Sequence, residues 1–224
     1  MKIKKLKKSL PEQAYDIILD KICIGEFEIG ARLNQDELAK QLDISRQPVN
    51  SAISILKSNG FVEETGRRGV KVSDITLEQF HSIYEFRSAI EPLAVQLATK
   101  RKPVSAEQEA KKVLERGWAA VNSRNLTQQL QADFEFHLLI YGWTQNSSVI
   151  DSMTLNWGHI RRTMSLAVKE NLSPDIFWNE HECIINSILN GNAQLAVANM
   201  KSHIEDAKCK TIDLLKNKID LGYA

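Results

Sequence analysis

Cysteine is scarce in this chain: three residues in 224, at Cys23, Cys183 and Cys209, none paired at close spacing. A scattered, odd-numbered set specifies neither a disulfide framework nor a zinc ribbon, and reduced thiols are its default state. Long apolar runs are missing too. None approaches the length of a membrane span, so no membrane partner is expected. The N-terminus carries five lysines in its first eight residues but lacks the apolar segment of a secretion signal, which leaves a cytoplasmic location as the expectation. Internal repeats and low-complexity tracts are absent beyond that lysine tail, which reads either as a solvated tail or as an arm that follows phosphates. The remainder, 43% hydrophobic and 25% charged over the whole chain, is the composition of a globular protein that can bury a core unaided.

The net charge of +1 conceals an asymmetry. Residues 1–72 hold 13 Lys+Arg against 10 Asp+Glu, and the rest hold 16 against 18. The basic excess falls where the sequence pattern reads as a winged helix-turn-helix. A first helix runs from Leu10 to about Ile24, with Leu10, Ala14, Ile17, Ile18 and Ile22 as its inward stripe. Asn34 opens a second helix to Gln41, with Glu37 placed for a capping box, and Leu42-Asp43-Ile44 makes the turn. Ser45 caps a third helix; Pro48 falls in its first turn, where a missing N–H costs little, and Val49, Ala52, Ile53 and Leu56 form its inner face. Asn59-Gly60 stops that helix. Phe61–Glu64 and Val70–Val72 are short strands around a basic tip, Arg67-Arg68-Gly69.

That order of elements presents the third helix to a DNA major groove and the tip to the neighbouring minor groove or its phosphates. Arg46 can make a bidentate pair with guanine, and Gln47 and Asn50 can pair with adenine. Ser45 and Ser51 suit phosphate contacts, as does Lys57 if it points outward, and Gly69 allows close approach beside Arg67 and Arg68. Winged helices also mediate protein contacts, and any surface helix has a polar face. The polar cluster at the helix start, together with the two tip arginines, favours double-stranded DNA as the partner.

After Ser73 the pattern is helical throughout. The expected fold class is therefore mainly α, with an N-terminal winged helix-turn-helix over residues 1–73 and an all-α helical bundle over 74–224. Thr76-Leu77-Glu78-Gln79 is a capping box opening a helix to about Lys100, which Pro92 should kink. Further helices are expected over Ser105–Asn122, Asn125–Trp143, Ser147–Lys169, Ser173–Leu189 and Ala193–Lys216. Asp133 and His137, four apart, share one helix face, and His181 and His203 lie in two later helices among core-like residues. Three imidazoles and a carboxylate converging in a bundle would bind a divalent metal: zinc first, or nickel, manganese or iron. Each piece alone is common, and His81 and His159 read as ordinary histidines.

Segments of the chain resemble a known family. Ile29 through Ala39, Ser45-Arg46-Gln47-Pro48-Val49, Gly60-Phe61-Val62 and Arg68 through Val72 resemble the GntR family of bacterial transcription regulators. Phe86-Arg87-Ser88-Ala89-Ile90-Glu91-Pro92, Asp133-Phe134-Glu135-Phe136-His137, and the stretch from His181 to His203 resemble the FCD effector domain of its FadR-like subfamily. Asn50 stands where the family usually has arginine, and Asn192 where it commonly has aspartate. The resemblance implies a homodimer whose bundles, of six or seven helices, hold a metal on Asp133, His137, His181 and His203 and bind a small organic acid. Arg87 would approach the acid's carboxylate, with Arg161 a second candidate; a structural pair of Arg87 with Glu91 is the competing role. Arg32 and Gln35 join the implied DNA-facing set. The implied function is a metabolite-controlled transcription regulator, a repressor rather than an enzyme, reading two half-sites of a palindromic operator. Two alternatives stay open: a metal-dependent hydrolase fused to a DNA-binding head, and an effector-free dimeric regulator with structural histidines.

Overall fold

The computed structural model describes residues 8–66, 69–169 and 174–220. The lysine-rich residues 1–7 and the tip arginines Arg67 and Arg68 lie outside the described residues. The chain divides into two compact units, Met1–Ile75 and Thr76–Ala224.

The first unit comprises α1 (Leu10–Cys23), α2 (Gln35–Gln41), α3 (Arg46–Ser58) and a hairpin of β1 (Val62–Thr65) and β2 (Gly69–Val72). Ser9 and Glu12 close a capping box at the start of α1. The Asn34 side chain accepts from the backbone N–H groups of Asp36 and Glu37 at the start of α2. Asp43, at the turn between α2 and α3, has φ of +51°, a left-handed conformation that aspartate tolerates better than most residues. The strands are antiparallel, with Val62 opposite Val72 and Thr65 opposite Gly69. Arg32 pairs with Lys71 across a single antiparallel bridge beside the hairpin.

The core of this unit joins Ala14, Ile18 and Ile22 of α1 to Val49, Ala52, Ile53 and Leu56 of α3, with Phe61, Val62 and Val72 beneath them. Fully burying a side chain such as Ile18 or Leu56 stabilises by roughly 1.5–3 kcal/mol. The stripe expected on α1 is only partly inward: Leu10 is 51% and Ile17 42% exposed. The inner face is narrower than the periodicity suggests because α1 packs mainly against α3 and leaves its flank outside.

Among the described residues the second unit has six helices: α4 (Leu77–Arg101), α5 (Ala106–Ser123), α6 (Leu126–Trp143), α7 (Ser147–Lys169), α8 (Pro174–Leu189) and α9 (Ala193–Asp220). The Thr76–Gln79 capping box is formed, and α4 continues past Pro92 to Arg101 as one helix. The C-terminal helix extends four residues beyond the expected Lys216. α4 packs along α9 and also against α6, α7 and α8, so it runs through the middle of the unit. Gly117 of α5 faces Trp178 of α8 so closely that a β-carbon there would sit 2.1 Å from two carbons of the indole ring.

Candidate functional site

The exposed start of α3 brings together Ser45, Arg46, Gln47 and Asn50. Ser45 sits at the N-cap with extended backbone, yet its hydroxyl makes no capping bond, contrary to the expected cap. Ser51 is half-buried, and its hydroxyl donates to the carbonyl of Gln47 within the helix. Arg32 is exposed and Gln35 half-buried, both near the entry to α2. Several basic groups of this unit carry acidic partners. Arg46 Nε lies 2.7 Å from Asp36 Oδ1. Lys57 Nζ lies 2.6 Å from Glu64 Oε1, and Lys71 Nζ 2.8 Å from Glu63 Oε1. A phosphate contact from Lys57 therefore requires it to leave Glu64. Gly69 has its own structural reason: a β-carbon there would sit 2.6 Å from the Thr65 carbonyl across the hairpin.

The second unit gathers the four residues that the sequence offers as metal ligands. One ring nitrogen from each of His137, His181 and His203 lies within 4.8 Å of the others. Asp133 Oδ1 is 3.5 Å from His181 Nε2, and Asp133 Oδ2 is 4.0 Å from His137 Nε2. All four residues are buried. Two carboxylates missing from the sequence-based set complete the arrangement. His203 Nδ1 lies 2.7 Å from Glu180 Oε2, and His137 Nδ1 lies 3.3 Å from Glu91 Oε2. A carboxylate on Nδ1 fixes the ring so that the Nε2 lone pair turns the other way, the usual support for a metal-binding imidazole. His181 is held differently, stacked on Phe136 at 3.8 Å between centroids and edge-on to Trp178 at 4.8 Å.

Residues that could hold a metal ion should offer buried polar atoms with no protein partner, and this cluster does. Asp133 Oδ2 and the Nε2 atoms of His137, His181 and His203 are buried without a hydrogen-bond partner among the described residues. Burial pushes the His181 imidazole well below the usual histidine range, and His203, His137 and Arg87 push it the same way. A neutral imidazole is the form that ligates a cation. Burial pushes the Asp133 carboxyl up, against the pull of His137, His203 and Arg87. Nitrogen and carboxylate donors in this mixture fit zinc, and equally nickel, manganese or iron.

Arg87 is fully buried and pairs with Glu91: Nε lies 2.6 Å from Oε1 and Nη2 3.4 Å from Oε2. Burial works against the charge on Glu91, but Arg87 and then His137 outweigh it and hold the carboxyl well below the usual range. Glu91 thus bridges Arg87 to a candidate metal ligand. Arg161 is buried on α7. A cavity of about 50 Å³ adjoins Asp133 and His203, lined also by Tyr84, Gln129, Phe177, Trp178 and Thr211. Neither Arg87 nor Arg161 is among its lining residues. His81 is exposed and His159 half-buried.

A winged helix-turn-helix and an all-helical unit with a buried histidine–carboxylate cluster together define a class, the DNA-binding regulator with a separate C-terminal body. Residues 10–72 match the bacterial regulatory proteins of the gntR family, and residues 82–206 match the FCD domain. The chain belongs to the gntR family and carries an FCD domain.

The chain is 29% identical over 145 residues to the uncharacterized HTH-type transcriptional regulator YdhC of Bacillus subtilis, covering 63% of this chain and 65% of YdhC, just under two thirds of that relative. It is 21% identical over 203 residues to the gluconate operon transcriptional repressor of Bacillus licheniformis, covering 87% of this chain and 82% of the relative. Its fold is similar to that of E. coli McbR/YncC, with a TM-score of 0.83 at 19% identity over 92% of this chain and 99% of that one. The family and both of these sequence relatives are described as regulators of transcription. No helix among the described residues is long and apolar enough to cross a membrane.

Proposed function

We propose that the protein is a cytoplasmic, homodimeric transcriptional repressor whose hold on double-stranded DNA is set by a small organic acid bound beside a metal ion. The buried, unpartnered convergence of Asp133 Oδ2 with three histidine Nε2 atoms carries the reading. Asp133, His137, His181 and His203 would hold the ion, zinc first among the candidates. The ion would supply a fixed positive charge for a carboxylate. The cavity beside Asp133 and His203 is the place for the acid, and its small volume favours a short one. Because Arg87 is already engaged by Glu91, its part is to steady His137 through that carboxylate, and the Arg87 contact to the acid becomes the secondary expectation.

In the DNA-binding unit, Arg46, Gln47 and Asn50 read bases; Ser45, Ser51, Lys57, Arg32 and Gln35 hold the backbone; and Arg67, Arg68 and Gly69 follow the neighbouring groove. A ligand can alter DNA affinity only by binding the two states of the protein unequally. The test is fluorescence anisotropy on an operator selected from random duplex, with zinc-loaded and chelated protein and a panel of small carboxylic acids. A calorimetrically detected acid should shift operator affinity in the zinc-loaded protein only. An acid that binds tightly and leaves affinity unchanged overturns the control mechanism.

A further inference from the structure

Asp36 in the first turn of α2 and Arg46 at the first position of α3 meet on the exposed face of the DNA-binding unit, Oδ1 to Nε at 2.7 Å. Their side chains are 55% and 63% exposed, so the pair adds little to folding stability. Its geometry matters more. A guanidinium offers two forks of parallel N–H bonds: a side fork of Nε with one Nη, and an end fork of both Nη atoms. Guanine O6 and N7 accept one such fork. A carboxylate on Nε occupies the side fork and leaves the end fork to the bases. The backbone under Asp36 is fixed as well, because its N–H donates to Asn34 Oδ1 at 2.9 Å.

We infer that Asp36 is a specificity-setting residue, holding Arg46 so that the end of its guanidinium meets guanine. The inference rests on the reading of Arg46 as a base contact. Arginine left alone samples many rotamers and can reach a phosphate as readily as a base, whereas an arginine held in one arrangement loses less freedom on binding. The same carboxylate repels phosphates and so weakens binding to DNA of any sequence. Asp36 therefore raises selectivity and lowers sequence-independent affinity, two effects of opposite sign that a merely structural residue would not produce.

Selection from a random duplex pool with the full chain, alongside Asp36→Ala, Asp36→Asn and Arg46→Ala, separates the cases. The unaltered protein should select guanine at one position in each half-site, and Arg46→Ala should lose that preference. Asp36→Ala should keep the rest of the site, lower the guanine preference there about tenfold, and bind random-sequence competitor several times more tightly. Asp36→Asn, which keeps an oxygen acceptor without the charge, should hold an intermediate preference. If Arg46→Ala loses the preference and Asp36→Ala retains it in full, the role of Asp36 is overturned and the base contact stands. If Arg46→Ala retains it, both fall. A drop at every position alike in Asp36→Ala also counts against the proposal.

Discussion

Both units carry ion pairs on their surfaces, but the candidate functional residues of the two handle charge in opposite ways. In the DNA-binding unit Arg46, Lys57 and Lys71 pair with Asp36, Glu64 and Glu63 on exposed or partly exposed side chains. In the helical unit Arg87 and Glu91 pair with no exposure at all, and Asp133 and the histidines lie beside them in the core. Exposed pairs cost little to make or to exchange, so at Lys57 and Lys71 a phosphate can displace the first partner, whereas Asp36 on the Nε of Arg46 leaves the end of the guanidinium free and need not part from it. Buried charges persist only where partners are already built. Lys57 and Lys71 of the DNA-binding unit are thus poised for exchange, and the buried Arg87–Glu91 pair of the helical unit for retention.

The sharpest way to break this contrast is Glu91→Ala, which leaves Arg87 buried and unpaired. It should cost the helical unit about 3–5 kcal/mol in chemical denaturation, while joint replacement of the pair by Arg87→Met and Glu91→Leu recovers most of that. A mild effect of the single change would place Glu91 among the exchangeable pairs. Next in size, zinc at a hundredfold excess over its Kd should stabilise the helical unit by about 2.7 kcal/mol, and His203→Ala should abolish the gain. Equal stabilisation of the His203→Ala protein would mean the ion sits elsewhere.

Acidification gives a third test. His181 is held below its unfolded value near 6.5, so the unfolded chain takes up its proton first. The stability tied to the neutral ring is whole above that value and declines as pH falls, by at most about 1.4 kcal/mol per pH unit. Glu91, also held low, acts in the same direction at more acidic pH, and Asp133, raised, acts against it. Chelator-treated protein should therefore be less stable at about pH 5.5 than at about pH 7.5, and His181→Asn should flatten the slope. The smallest effect belongs to the DNA-binding unit: Asn34→Ala removes the cap of α2 and should cost about 1 kcal/mol, independent of zinc.

Local signals were legible in the sequence. The Thr76–Gln79 capping box, the limits of α7 and the inner face of α3 all follow from neighbours within a few residues, and each is found as expected. The histidine cluster was legible as residue types but not as geometry, since it depends on three helices meeting. Glu180 gave no signal, although it is adjacent to His181, because its partner is His203 on another helix. Glu91 was visible only as a helical neighbour of Arg87; its reach to His137 is tertiary. The partners of Lys57 and Arg46 were hidden for the same reason. Periodicity overstated the buried stripe of α1, because it reports which residues share a face and not how wide a neighbour covers it.

The absence of a side chain at Gly117 has a consequence for the buried histidine–carboxylate cluster. Trp178 presses against that glycine on one side, touches His181 edge-on on another and walls the cavity beside Asp133. A methyl group at 117 would have nowhere to go but into the indole, which would have to swing toward the imidazole or tilt into the chamber. The chamber's dimensions are thereby governed from a helix that contributes none of the clustered imidazoles or carboxylates, so the space beside Asp133 can change shape while every one of those polar groups stays the same.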